Sequence, residues 1–117
     1  MSESSKHNII NYIEFFATDL AATKKFYTSV FGWEFVDYGP DYACFQKAGL
    51  DGGFTKGVPA KGAGALAVIH VDDLQAAYAK VKAAGGTIVK EIFSFPGGSR
   101  FHFADPSGNE LAVWHME

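Results

Sequence analysis

The chain contains an internal repeat. Residues 12–36 can be laid over residues 66–90 at an offset of 54 without a gap. Four positions are identical in the two copies, and each has a mechanical role at a helix: an N-cap, the first apolar residue, a small packing residue and a closing glycine. They are Asp19/Asp73, Leu20/Leu74, Ala22/Ala76 and Gly32/Gly86. Self-similarity at a fixed period reflects a repeated structural unit, so the chain is expected to fold as two copies of one motif.

Each copy has the same order of local patterns. An alternating apolar segment ends in an Asp, a helix follows, and three extended segments complete the copy. The helices are predicted at about 19–31 and 73–84, where apolar residues recur at helical spacing. Each half therefore reads β-α-β-β-β, and the fold class is α+β.

The two motifs are expected to form one domain over residues 1–117. The first module covers about 8–56 and the second about 65–117, and residues 57–64 between them are rich in Gly, Ala and Pro, as a linker is. A helix covers only one face of a four-stranded sheet. Two modules side by side would therefore make a curved mixed sheet, or cup, with the helices on its outer face.

Alternation within the predicted strands assigns residues to the two faces of this sheet. Uniformly apolar positions are assigned to the helix side: Ile13, Phe15, Ala17, Ala67, Ile69, Val71, Phe101, Phe103, Leu111 and Val113. Their neighbours are assigned to the concave side: Tyr12, Glu14, Phe16, Leu66, Val68, His70, Arg100, His102, Ala112 and Trp114. Phe54 is added to the aromatic lining of the cup. The concave side is the predicted binding surface.

Composition argues against several classes of partner. The net charge is -3, and the scattered lysines form no basic stripe, so nucleic acid is not an expected partner. The apolar stretches are short, and the polar start "MSESSKHN" lacks the apolar core of a signal peptide. We therefore expect no membrane association and a cytoplasmic location. The single cysteine, Cys44, rules out an intrachain disulfide.

Two motifs support a family resemblance. The first is Asp-Leu followed by Phe-Tyr-(x)3-Phe-Gly-Trp within residues 19–33, and the second is "FADPSGNEL" at 103–111, a strand end, a tight Asp-Pro turn and a new strand. With two βαβββ units, the chain resembles the vicinal oxygen chelate superfamily of glyoxalase I, extradiol dioxygenases, fosfomycin-resistance transferases and bleomycin-binding proteins. The resemblance implies a cup-shaped site between modules and a homodimer, while this scaffold hosts many chemistries.

The resemblance also implies where a metal would be held. In metal-dependent relatives the ligands come from the first and last strands of each module, which correspond here to Tyr12, Leu66, Ala112 and a residue among 52–54. None of these is His, Glu or Gln. A divalent ion needs three or four donors at about 2.0 to 2.2 Å. We therefore expect no metal and no cofactor.

The polar residues left on the concave side are Glu14, His70, Arg100 and His102. Glu14 could form a structural ion pair with Arg100, the only arginine, or act as a general base or substrate anchor. His102 could meet the same anionic ligand as Arg100, whereas His70 at a strand end suits a rim or capping role. A three-donor metal site from Glu14, His70 and His102 is a further alternative.

Two functions remain open at this point. The first is a glyoxalase- or bleomycin-resistance-like protein that binds a small organic molecule, anionic or aromatic, without a metal. The second is a metal-independent lyase or isomerase in which Glu14 is the base, with Arg100 or His102 stabilising an enolate. In that case Glu14 and His102 are the catalytic candidates.

Overall fold

The computed structural model describes residue 8, residues 10–59 and residues 65–117. The first module contains β1 (Tyr12–Ala17), α1 (Leu20–Phe31), β2 (Glu34–Asp37), β3 (Tyr42–Gln46) and β4 (Asp51–Lys56). The second contains β5 (Val68–His70), α2 (Leu74–Ala83), β6 (Thr87–Phe95), β7 (Gly98–Ala104) and β8 (Glu110–Met116). The predicted tandem βαβββ architecture and α+β class are confirmed.

Each module forms a four-stranded mixed sheet with the same strand order. The orders are β1-β4-β3-β2 and β5-β8-β7-β6. In both sheets the first strand pairs parallel with the last, and the other pairs are antiparallel. No strand pairing among the described residues joins the two sheets, so β1 and β5 are edge strands.

The helix starts form as the repeat predicts. Asp19 accepts a hydrogen bond from the backbone N–H of Ala22, and Asp73 accepts one from the N–H of Ala76. Each carboxylate therefore satisfies an amide that the first helical turn leaves free.

The two helix ends differ from each other. Gly32 has a φ of 74° and closes α1 as expected, because a left-handed residue there is best met by glycine. Gly86 was predicted to do the same for α2, and this is wrong: the neighbouring Gly85 has the positive φ. Gly86 instead packs so closely on Val81 and Phe26 that a Cβ would lie 2.7 and 3.0 Å from them.

The hydrophobic core is shared by the two modules. Tyr27 of α1 stacks on Trp33 at 4.7 Å and packs on Phe54 of the first sheet at 5.2 Å between ring centroids. Phe26 of the same helix packs on Phe103 of the second sheet at 5.7 Å. Helix α1 thus buries apolar side chains against both sheets, and the modules are held together by this core.

The hairpin between β7 and β8 makes polar contacts to the first module. The turn closes through the Gly108 N–H donating to the Asp105 carbonyl, with Gly108 at a φ of 99°. The Ser107 hydroxyl accepts from the backbone N–H of Thr18, and the Asn109 amide donates to the carbonyl of Phe16. The end of β1 is therefore fixed against the second module.

The segments at the margins of the modules are only partly described by the structure. Of the predicted linker 57–64, residues 60–64 lie outside the described residues, as do residues 1–7 of the polar start. The module boundaries stay a prediction. Neither described helix has the length and apolar character needed to cross a bilayer.

Candidate functional site

Each sheet has one face covered by helix and one face without helix, called here the helix-free face. In the first sheet the pairing register places Tyr12, Glu14, Phe16, Tyr42, Cys44 and Gly53 on this face. In the second sheet it places Val68, His70, Arg100, His102, Ala112 and Trp114 there, together with Lys90, Phe93, Phe95 and Glu110. The alternate residues of β1 and β7 contribute to the core.

Phe54 lies in the core and not in the predicted aromatic lining. Its partner in the pairing register is Phe15, whose ring stacks on it at 5.4 Å, and it is fully buried in the core. The assignment to the aromatic lining is therefore wrong. Strand β4 carries Gly52 and Gly53 before Phe54, so it has no alternating pattern from which a face could be inferred.

A chain of hydrogen bonds crosses the helix-free face of the first sheet. The Tyr42 hydroxyl donates to Oε1 of Glu14 at 2.9 Å, and the Tyr12 and Tyr42 hydroxyl oxygens lie 2.6 Å apart. The Tyr12 hydroxyl also lies 3.4 Å from Sγ of Cys44, which is half-buried. Four polar side chains from β1 and β3 are thus linked in one row.

Gly53 is the residue that makes this row possible. It lies on β4 between Glu14 and Cys44. A Cβ at this position would lie 2.6 Å from the Tyr42 hydroxyl oxygen, closer than real Cβ contacts allow. The absent side chain leaves the space in which the Tyr42 ring crosses the sheet to reach Glu14.

Both hydroxyls of the row hold their protons tightly. Burial is the main cause that raises the pKa of Tyr42, and the hydrogen bond that it donates to Glu14 adds to the effect. The pKa of Tyr12 is raised above its ordinary value as well. Neither tyrosine is a phenolate at neutral pH.

The helix-free face of the second sheet carries the arginine. The Arg100 guanidinium carbon lies 5.3 Å from the ring centre of Phe93 and 5.7 Å from that of Phe95. Lys90 Nζ lies 5.9 Å from the Phe93 ring. None of the ion pairs formed by the described residues involves Arg100. Its Nε is buried without a hydrogen-bond partner.

His102 lies on the same face and has a partner of its own. Its Nδ1 lies 2.9 Å from Oε2 of Glu110. His102 is 5% exposed, and the other ring nitrogen, Nε2, is buried without a partner. His70 packs its exposed ring edge-on against Trp114 at 5.2 Å. Aromatic rings on this face therefore lie around the side chains of Arg100 and His102.

The structure places Glu14 and Arg100 in separate clusters. Glu14 is bonded to Tyr42, and no ion pair or hydrogen bond among the described residues joins it to Arg100 or His102. The proposed structural ion pair between Glu14 and Arg100 is thus not formed within the chain. Leu66 precedes β5, and Val68 lies in it; both side chains are exposed.

Several residues of these clusters were not identified from the sequence. Two register shifts in β6, at 88–90 and 90–93, turn Phe93 and Phe95 onto the helix-free face. A bulge moves the residues that follow it to the other face of the sheet, and no periodic pattern in the sequence reveals it. Glu110 could have been found, because it is in phase with the predicted site residue His102 on the paired strand β7. Tyr42 had no such guide, because the site residue predicted on its paired strand β4 was Phe54, which is out of phase with it.

The residues at the family's metal-ligand positions do not fit a divalent ion. Tyr12, Leu66 and Ala112 occupy three of them, and Gly53 is the residue of 52–54 that faces the same side. A phenol is the only polar group in this set, whereas such sites take three or four nitrogen, oxygen or sulfur donors. In the part of the chain that the structure describes, no three His, Cys, Asp or Glu side chains cluster as ligands would.

The fold and its paired modules define a class of protein that comparison with known families identifies. The chain belongs to the glyoxalase/bleomycin resistance protein/dioxygenase superfamily, whose model matches residues 9–113. The predicted family is thereby confirmed. A family of this breadth fixes the scaffold and leaves the reaction open.

Individual relatives are more distant. CFP32 of Mycobacterium bovis and of Mycobacterium tuberculosis, provisionally named a glyoxylase, is 30% identical over 115 residues, covering 89% of this chain. The chain corresponds to 44% of the length of CFP32. It therefore matches less than half of that protein.

Solved structures share the fold. A family enzyme from Burkholderia phytofirmans has a TM-score of 0.80 at 20% identity, covering 92% of this chain and 98% of its own. The fosfomycin resistance protein FosX of Listeria monocytogenes was solved in complex with Mn(II) and 1S,2S-dihydroxypropylphosphonic acid. Its structure has a TM-score of 0.78 at 18% identity, covering 91% of this chain and 88% of its own. At these identities the likeness is one of fold.

Proposed function

We propose that the chain binds a small organic anion at Arg100, on the helix-free face of its second module, and that it does so without a metal ion. The observation that carries the proposal is the Arg100 guanidinium, which lies over two aromatic rings with no acidic partner among the described residues. A guanidinium is permanently charged and forms paired hydrogen bonds with carboxylate and phosphonate groups.

The surroundings of Arg100 suit such a ligand. Lys90 adds a second positive charge beside the Phe93 ring, and Trp114 with Phe95 offers apolar surface for the rest of the molecule. The buried Arg100 Nε has no acceptor. A buried unsatisfied donor costs about 1 to 3 kcal/mol, and a ligand anion would supply the missing acceptor. The phosphonic acid in the FosX structure is a precedent for an organic anion on this fold.

The test is a calorimetric titration with benzoate, using benzamide as a ligand of the same shape without the charge. Benzoate is expected to bind, and benzamide much more weakly. Arg100→Lys keeps the charge but loses the paired geometry, so it should weaken benzoate binding roughly ten- to a hundredfold.

Two controls accompany this titration. Lys47→Met removes a positive charge from the exposed pair with Glu34 in the first sheet and should leave benzoate binding unchanged. EDTA should also have no effect. Equal affinity for benzoate in the wild type and in Arg100→Lys, or an affinity that requires added Zn²⁺ or Mn²⁺, would contradict the proposal.

A second candidate function is a metal-independent lyase or isomerase with Glu14 as the base. The observation in its favour is the hydrogen bond from Tyr42, which fixes the orientation of an exposed carboxylate. Arg100 or His102 would stabilise the enolate. A turnover screen with 2-hydroxy and α-keto acids at several pH values separates the two candidates. A binding protein gives thermal shifts without product, and Glu14→Gln should abolish turnover in an enzyme while the fold stays intact.

The remaining expectations belong to the same proposal. The ligand-facing set is the one predicted from the sequence without Phe54: Tyr12, Glu14, Phe16, Leu66, Val68, His70, Arg100, His102 and Trp114. Since Glu14 and Arg100 lie in separate clusters of one chain, a site that uses both requires the two helix-free faces to meet, as in a homodimer. A cytoplasmic location completes the proposal.

A further inference from the structure

The direction of the hydrogen bonds on the first sheet follows from counting protons. A tyrosine hydroxyl has one proton to donate and lone pairs to accept. Tyr42 donates its proton to the carboxylate of Glu14 at 2.9 Å, so its oxygen must accept from Tyr12 in the 2.6 Å contact. The proton of Tyr12 is thereby used, and the Cys44 thiol must be the donor in its 3.4 Å contact with Tyr12.

This direction decides what Tyr12 can offer to a ligand. With Glu14 ionised, the Tyr12 oxygen has no proton to give and presents only lone pairs, and the side chain is 44% exposed. Its present donor, a thiol, is a weak one. A hydroxyl or thiol of a ligand can therefore take the acceptor position on Tyr12.

We propose that Tyr12 is the ligand-contacting end of a proton relay, and that it accepts a proton from an acidic O–H or S–H group while Tyr42 passes one to Glu14. In the relay step the ligand O–H or S–H bond breaks and its proton bonds to Tyr12 Oη. The proton of Tyr12 moves to Tyr42 Oη, and that of Tyr42 moves to Oε1 of Glu14. The negative charge passes from the Glu14 carboxylate to the ligand.

This inference rests on the second candidate function, with Glu14 as the base, and it does not require Arg100. It assigns to Glu14 a role at the far end of the row, where the carboxylate never touches the ligand. Both phenols stay protonated at neutral pH, so each can only exchange one proton for another. The ligand class is a molecule with an acidic hydroxyl or thiol, such as a phenol, an enol or an aryl thiol.

The experiment uses 4-nitrophenol as the probe, with 4-nitroanisole as the matched compound without the O–H group. At a slightly acidic pH free 4-nitrophenol is mostly protonated, and loss of its proton is seen as the visible absorbance of the phenolate. The wild-type protein is expected to bind 4-nitrophenol and to raise this absorbance, and to bind 4-nitroanisole without a spectral change.

Three variants test the individual steps. Tyr12→Phe should weaken 4-nitrophenol binding about tenfold and leave 4-nitroanisole binding unchanged, since one hydrogen bond is lost. Tyr42→Phe and Glu14→Gln should still bind 4-nitrophenol but without the phenolate absorbance. The control Tyr38→Phe, at an exposed tyrosine outside the row, should behave as wild type.

Other results would overturn the relay. These are equal 4-nitrophenol affinity in the wild type and in Tyr12→Phe, no binding by the wild type, or a phenolate signal that persists in Tyr42→Phe. Thermal melts of each variant verify that the fold is intact. Benzoate titration of the same variants reports on Arg100 separately, so a failed relay with retained benzoate binding leaves the anion site standing.

Discussion

The Tyr27 hydroxyl donates a 2.9 Å hydrogen bond to the Asp105 carboxylate, although 78 positions separate the two residues. Both side chains are buried, and the bond joins helix α1 of the first module to the hairpin turn of the second. Asp105 also accepts from the backbone N–H groups of Ser107 and Asn109 and from the Asn109 side chain. One carboxylate therefore orders the turn and ties it to the other module.

Removing this bond should destabilise the protein. Tyr27→Phe deletes one of four donors to Asp105 and should lower the free energy of unfolding by about 1 kcal/mol. Asp105→Ala leaves all four donors without their acceptor and should cost several times that. Urea unfolding measures both values. Tyr38→Phe, at an exposed tyrosine, should be neutral, and a neutral Tyr27→Phe would show that the bond contributes nothing net.

The same pair predicts a loss of stability at alkaline pH. Burial, and then the charge of Asp105, raises the pKa of Tyr27 well above its ordinary value. A tyrosine in the unfolded chain has a pKa of about 10. The folded state therefore holds the proton more tightly, so this stabilisation is complete below that pH and is lost as the pH rises above it.

Unfolding measurements between neutral and strongly alkaline pH test this directly. The wild type should lose stability above the ordinary tyrosine pKa, and Tyr27→Phe should lose less, because one of its buried phenols is gone. Tyr12 and Tyr42, whose pKa values are also raised, leave a residual decline in the variant. Identical alkaline slopes in the two proteins would refute the role of Tyr27.

Local patterns in the sequence were sufficient to predict the modules but not the positions of all aromatic residues. The repeat, the Asp N-caps and the period-2 strands predicted both modules, because each is a local pattern with a local cause. The positions of Phe54, Phe93 and Phe95 were not predicted. Two adjacent glycines remove the alternation before Phe54, and two bulges in β6 shift the phase of the other two.

The partners of the site residues were harder still to predict. Glu14 and Arg100 were both placed correctly on helix-free faces, but which side chains they contact depends on the register between strands that are distant in sequence. The Tyr42 bond to Glu14 depends in addition on a missing Cβ at Gly53. The face on which a side chain lies can be predicted from the alternation within its own strand, whereas its contacts depend on how two strands pair.

Substitution of Gly53 should disrupt the row on the first sheet. In Gly53→Ala the new methyl group would meet the Tyr42 hydroxyl oxygen at 2.6 Å and the Ala43 carbonyl at 2.8 Å. Tyr42 must then leave Glu14, and we expect a loss of about 1 to 3 kcal/mol in the free energy of unfolding. If the ring is the main obstacle, Tyr42→Ala should remove part of this cost. A double-mutant cycle with no coupling would show that the backbone contact alone is responsible.

Removal of metal should leave the protein unchanged. The residues at the family's ligand positions include alanine, leucine and glycine, whose side chains cannot bind a metal. EDTA should therefore alter neither the melting temperature nor benzoate affinity. Elemental analysis of protein purified without a chelator should find far less than one transition metal per chain. A stoichiometric metal that disappears in His102→Ala would instead support a site built from Glu14, His70 and His102.

The exposed apolar side chains of the helix-free faces predict a homodimer. Tyr12, Phe16 and Val68 are 44%, 46% and 45% exposed, and edge strands β1 and β5 leave backbone groups unpaired. A symmetric dimer would cover these groups, and light scattering at tens of micromolar should give twice the chain mass of 12.6 kDa.

Val68→Lys places a charge on this surface and should shift the protein toward monomer with its circular dichroism unchanged. Val58→Lys, at a more exposed valine beyond the end of β4, should stay dimeric. A wild-type protein that scatters as a monomer would disprove the dimer and, with it, any single site that combines Glu14 with Arg100 across two copies.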